Sequence, residues 1–164
     1  MAQISTEIRI DATPEKVWEV LSDIGSVSAF SPNVEVSHAT TEETGGIGAG
    51  RHCDFYGGGE VDEVVIDWIE GEKVALEILG GFGPAASIAG SFAIRPEGDG
   101  STVTFQATYE MKFGLLGKLM DVAIARRQFG KLGGQILDGL KHHVETGDTI
   151  ADDVPTRALA GAAI

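Results

Sequence analysis

The strongest constraint in this sequence is the long segment near its C-terminus, Gly117 to Thr146. From just before it, the apolar residues run Leu115, Leu119, Val122, Phe129, Leu132, Ile136, Leu140 and Val144. Steps of three and four put these side chains on one stripe of a helix, and such a stripe must lie on another apolar surface. The segments before it alternate with a period of two, which is the pattern of half-buried strands. A long helix laid on a curved sheet encloses an interior.

The strands and turns are legible in order. Ile4, Thr6, Ile8 and Ile10 alternate with Gln3, Ser5, Glu7 and Arg9 in a first strand. Thr13-Pro14-Glu15 is a helix start, with Thr13 able to cap and Pro14 at the first helical position. Val17, Trp18, Leu21 and Ile24 supply that helix's buried side and Gly25 ends it. A second short helix is expected from Ser26 to Phe30, stopped at Ser31-Pro32. Strands follow near Val34–His38, Arg51–Tyr56, Glu60–Ile69, Val74–Leu79, Ser87–Arg95 and Thr102–Phe113, joined by glycine-rich turns. In Glu60–Ile69, Val64, Ile66 and Trp68 read as one face, and Val61, Glu63, Val65, Asp67 and Ile69 as the other. Short links between successive strands imply an antiparallel meander, so the class is α+β. One domain is expected over residues 1–146. The acidic, alanine-rich residues 147–164 form a tail with little to bury, or a short helix from Pro155.

The 164 residues carry 25 acidic against 12 basic side chains, a net charge of −13. That balance repels phosphate and disfavours nucleic acid and anionic membranes as partners. No window is long and apolar enough to span a bilayer, and the N-terminus lacks the pattern of a secretory signal. A single cysteine, Cys53, excludes an internal disulfide and fits a reducing cytoplasm. The glycines of Gly45–Gly50 do not fit a dinucleotide fingerprint, and no nucleophile elbow, phosphate loop or zinc-protease motif is present. No cofactor and no metal is expected.

The run Ile8-Arg9-Ile10-Asp11-Ala12-Thr13-Pro14-Glu15-Lys16-Val17-Trp18-Glu19-Val20-Leu21-Ser22-Asp23 resembles the opening of the START-like superfamily, which includes Bet v 1 allergens and polyketide cyclase/dehydrase-type (SRPBCC) proteins. Glu63 ahead of Val64-Val65, the turn before Ser101-Thr102-Val103 and the long C-terminal helix are similar as well. The resemblance covers about residues 3 to 146. It implies a helix-grip fold: about seven antiparallel strands curved around the long helix, with two short helices after the first strand. It also implies an internal cavity for a hydrophobic or amphipathic small molecule, and it carries no universal catalytic motif. Where relatives often have a tryptophan, this chain has Phe30-Ser31-Pro32.

Candidate residues follow from the container. Arg126 falls on or beside the apolar stripe, where a guanidinium either grips an anionic ligand or finds Asp121 or water. Tyr109 is the preferred polar handle; Trp68, Phe92, Phe105, Phe129 and Phe30 are the aromatic lining. Gly130, Gly133 and Gly134 inside the helix serve close packing or leave room for a ligand. His52 and Asp54 share a strand face and are an acid/base candidate if that face is inward. Glu63 and Asp67 are expected on an outward face, and Cys53 reads as a small buried residue. His142 and His143 suit the helix C-terminus. Ligand binding is the leading reading, with a cofactor-independent cyclase, dehydrase or hydrolase, or an interaction module such as a homodimer, as the alternatives.

Overall fold

The computed structural model describes residues 2–80, 85–111 and 126–150, the side chains of Met111 and Arg126 aside. The order is β1 (Ala2–Ile10), α1 (Pro14–Ser22), a 3₁₀ segment (Ile24–Ala29), β2 (Val34–Ala39), β3 (Gly50–Phe55), β4 (Glu60–Ile69), β5 (Lys73–Ile78), β6 (Ala85–Glu97), β7 (Gly100–Met111) and the long helix α2 (Arg126–Thr146). The strands form one seven-stranded antiparallel sheet in the order β1-β7-β6-β5-β4-β3-β2. Consecutive strands from β2 to β7 are hairpin neighbours, and β1 returns to pair with β7. The two sheet edges are therefore consecutive in sequence, and α1 with the 3₁₀ segment bridges them. This is the α+β helix-grip architecture. Leu115, Leu119 and Val122 of the expected stripe, with Asp121 and Phe113, lie outside the described residues, as do residues 151–164 of the tail.

Local chemistry accounts for the elements. Pro14 starts α1, and Thr13 holds the extended N-cap conformation without a side-chain cap hydrogen bond. Val17, Trp18 and Leu21 are its buried residues. The second short helix begins earlier than its apolar pattern suggested, at Ile24, and is 3₁₀ with a non-helical residue at Ser26. Tight backbone contact explains the irregularity: a Cβ on Gly25 would meet the Ala39 nitrogen at 2.9 Å. The polar Ser37 hydroxyl ties this segment to β2, donating to Gly25 O at 2.7 Å and accepting from Ser28 N at 3.0 Å.

Strand β4 corrects the sequence reading of its faces. A register shift between Val65 and Asp67 leaves Ile66 as an extra residue, bulged outward and exposed. Before it, Val61, Glu63 and Val65 point inward; after it, Trp68 does. Asp67 is turned out to an ion pair with Lys73 at 2.7 Å. Strict alternation therefore failed over this strand, and Glu63 is an interior carboxylate.

Helix α2 seats on β1 and β7. Leu137, Leu140 and Val144 are buried in the main core, with Phe129 and Ile136 half-buried against it. Its last turn is tied down by Glu145, which accepts from Asp11 N at 2.8 Å and Lys141 Nζ at 2.7 Å. His143 Nδ1 lies 2.8 Å from Asp148 O beyond the helix end.

Candidate functional site

The inner face of the sheet, the one α2 covers, can be read as rows of side chains running across the strands. One row begins with the Arg51–Glu63 pair on β3 and β4 and continues through Ile78 on β5, Ile88 on β6 and Tyr109 on β7. A parallel row runs Trp68, Val74, Phe92, Phe105 and Thr6. Between them lies a row of lower relief: Val65, Leu76, Gly90, Ala107 and Ile4. Gly90 is where a side chain is missing; a Cβ there would meet only the Phe105 ring, at 3.4 Å and 3.8 Å.

The aromatic candidates converge on this face. Phe92 packs at a tilt against Phe105 with ring centroids 5.1 Å apart, and Phe30 meets Phe92 edge-on at 6.4 Å. Tyr109 packs on Phe129 of the helix at 4.8 Å. Trp68 meets Trp18 edge-on at 4.8 Å, and both indole N–H groups donate to Glu70, at 2.9 Å each. Phe55, Trp68, Ile78, Phe129 and Ile136 face inward yet are only partly buried. Arg126 opens the described part of α2, but its side chain lies outside the described residues. The helix glycines divide. Gly133 is a close approach, since its Cβ would lie 2.7 Å from Phe105 Cδ1 and 3.0 Å from Thr6 Cγ2. At Gly130 and Gly134 a Cβ would meet nothing within 4 Å.

The charged pair inside was missed by pattern reading. Arg51 Nε donates to Glu63 Oε2 at 2.6 Å, and Arg51 Nη1 to the Ile24 carbonyl at 3.2 Å. The two side chains are 10% and 14% exposed. Cys53 lies beside them, Sγ 3.6 Å from Glu63 Oε2. Burial pushes its thiol up to about 12, so it stays protonated and is no nucleophile. The signal that could have revealed the pair was parity: Arg51, Cys53 and Phe55 alternate against His52 and Asp54, and only one of the two sets can face inward.

His52 and Asp54 take the outer face. His52 Nδ1 lies 2.8 Å from Asp62 Oδ1, and Nε2 lies 3.5 Å from Asp54 Oδ1 and 4.0 Å from Glu60 Oε2. The hydrogen bond with Asp62 raises the imidazole pKa, assisted by Asp54. An open groove of about 420 Å³ beside Asp54 and Glu60, also lined by Glu35, Val36 and Phe55, sits at this end of the sheet and not under α2. The acid/base candidate is thus a surface ion cluster.

Over residues 1–145 the sequence matches the family described as polyketide cyclase/dehydrase and lipid transport. The chain belongs to that family. Solved structures agree on the fold. The protein TTHA0849 from Thermus thermophilus superimposes with a TM-score of 0.72 at 21% identity, covering 89% of this chain and 99% of that one. A START superfamily protein from Mycobacterium smegmatis gives 0.71 at 15% identity over 87% and 97%. The di-domain ARO/CYC BexL of the BE-7585A biosynthetic pathway gives 0.73 at 15% identity, over 88% of this chain and 47% of that one. No curated protein matches the sequence. Among the described residues of this family member, no helix is long and apolar enough to cross a membrane.

Proposed function

We propose that this family member binds a small hydrophobic or amphipathic molecule between the sheet and α2, as a carrier or sensor in the cytoplasm and without a cofactor. The observation that carries this reading is the low row through Gly90 and Ala107. It is flanked by an aromatic row and an aliphatic one, with Phe55, Trp68, Ile78 and Phe129 left partly buried. Phe30, Trp68, Phe92, Phe105, Tyr109 and Phe129 supply shape and apolar area. A ligand burying about 300 Å² of apolar surface gains roughly 7 kcal/mol before the costs of association, which corresponds to micromolar binding or weaker. The cyclase/dehydrase alternative required converging titratable groups, and His52 with Asp54 lies on the wrong face for it.

Titration with an apolar fluorescent probe, with native mass spectrometry of the complex, tests the reading. Saturable one-to-one uptake is expected, and Gly90→Leu, which fills the low row, should abolish it while leaving the unfolding midpoint within a few degrees. Uptake that is absent from the wild type, or untouched by Gly90→Leu, refutes it.

A further inference from the structure

The outer face of the β3–β4 hairpin gathers groups that the interior does not use. His52 and Asp54 stand two residues apart on β3, and the strand register sets Asp62 opposite His52 and Glu60 opposite Asp54. Donor atoms of His52, Asp54 and Glu60 all lie within 4.8 Å of one another. Among the described residues, the His52 ring is the only basic group within 4.0 Å of the Asp54, Glu60 or Asp62 carboxylates. One imidazole, even protonated, cannot balance three carboxylates, and like charges this close on neighbouring strands repel.

The imidazole is presented as a ligand. Its Nδ1 lies 2.8 Å from Asp62 Oδ1, a contact that holds the Nδ1 proton and leaves the Nε2 lone pair free. Nε2 faces Asp54 Oδ1 at 3.5 Å and Glu60 Oε2 at 4.0 Å. The His52 side chain is only 21% exposed and its ring lies against His38 of β2, centroids 5.3 Å apart, so neighbours set its direction. In a tetrahedral shell with metal–ligand bonds of about 2.1 Å, donor atoms stand about 3.4 Å apart. The His52–Asp54 spacing already matches. Glu60, the first residue of β4 and 74% exposed, closes the shell by rotating its side chain. The remaining position opens to the groove lined by Glu35, Asp54 and Glu60, where water completes the coordination. We propose that His52 Nε2, Asp54 and Glu60 bind a divalent first-row transition metal such as Zn²⁺, with Asp62 as the positioning carboxylate. The imidazole nitrogen selects against Mg²⁺ and Ca²⁺, which take oxygen ligands. The ion replaces repulsion with a tie between β3 and β4, whose connecting turn carries Gly57, Gly58 and Gly59, all at positive φ. Spacing along the chain does not announce the site, because two strands supply it and only their pairing brings the ligands together.

Calorimetric titration of the metal-stripped full chain with zinc chloride at pH 7.5 tests this. One ion per chain should bind in the micromolar range and raise the melting midpoint, and a tenfold excess of Mg²⁺ should not compete. His52→Asn should abolish measurable binding, and Glu60→Gln should weaken it at least tenfold; the latter decides alone should His52→Asn not fold. Asp62→Asn should keep the stoichiometry and weaken binding about tenfold or more. In ¹⁵N spectra of the zinc-bound wild type, His52 should show Nε2 bound and Nδ1 protonated, and Asp62→Asn should move the Nδ1 signal. Replacing His142 and His143 together by Asn should leave the titration unchanged. Zinc binding that survives both His52→Asn and Glu60→Gln, that is lost with His142 and His143, or that Mg²⁺ matches overturns the proposal. So does no binding up to millimolar zinc.

Discussion

The glycines of α2 offer the sharpest test of how the helix grips the sheet. Four lie inside it, Gly130, Gly133, Gly134 and Gly139, and each weakens an isolated helix by about 0.5–1 kcal/mol relative to alanine. What an added methyl would touch differs at each. At Gly130 and Gly134 it would meet nothing within 4 Å, so the propensity gain should appear in full. Each change to alanine should stabilise by about 0.5–1 kcal/mol, raising the melting midpoint by roughly 2–4 °C per kcal/mol for a chain of this size. At Gly139 the methyl would press into the Phe30 carbonyl oxygen and the Ile150 side chain. Ile150 can rotate away, whereas the carbonyl belongs to the buried link between the 3₁₀ segment and β2. Relieving the overlap requires the helix to retreat, a change that costs about 1–3 kcal/mol in a packed interior and outweighs the gain. Gly139→Ala should therefore destabilise by about 1–2 kcal/mol net. Gly133→Ala should fall between, because its neighbours, the Phe105 ring edge and the Thr6 methyl, are side chains that can shift. Urea unfolding followed by far-ultraviolet circular dichroism gives the four values. If Gly139→Ala raises stability as much as Gly134→Ala does, the helix is not seated on Phe30 and the close approach is wrong.

Two further outcomes are expected. Cys53, buried and with its thiol pushed up to about 12, should resist a thiol-reactive disulfide reagent at pH 8 in the native protein and react promptly in denaturant; rapid native labelling would place β3 with the opposite face inward. His52 has its folded pKa raised above the unfolded value by Asp62 and Asp54, so its stabilising contribution is complete below about pH 6.5 and fades as pH rises through the folded pKa. The wild type should lose stability relative to His52→Asn between pH 6 and 8.5, and parallel pH profiles of the two proteins would contradict the surface cluster, to which Asp54, Glu60, Asp62 and the nearby His38 ring contribute.

Much of this architecture was legible because periodicity reports burial directly. The alternation of β1 and β7, the Thr13-Pro14 helix start and the apolar stripe of α2 each follow from local geometry, and each element has the expected type. The candidate site was legible only by residue type. Phe30, Phe92, Phe105, Tyr109 and Trp68 could be named as interior because large aromatics seek burial, but nothing local says which of them meet.

The succession of strands and helices along the chain, and hence the class of fold, was determined by the sequence itself, through periods of two and then 3.6 with turn residues between them. Which side of each strand became the interior was decided only in the tertiary structure. Strand β3 carries Arg51, Cys53 and Phe55 on one face and His52 and Asp54 on the other, and both faces mix charge with bulk. Pairing settled the matter: Arg51 lies opposite Glu63 and beneath the Ile24 carbonyl, where its charge is met, while His52 finds its carboxylates in water. The bulge at Ile66 then reversed the parity of β4, bringing Glu63 and Trp68 inward together. A period-of-two argument cannot see an inserted residue or a partner on the neighbouring strand, and both are what turned the long helix's container into one with a neutral polar end.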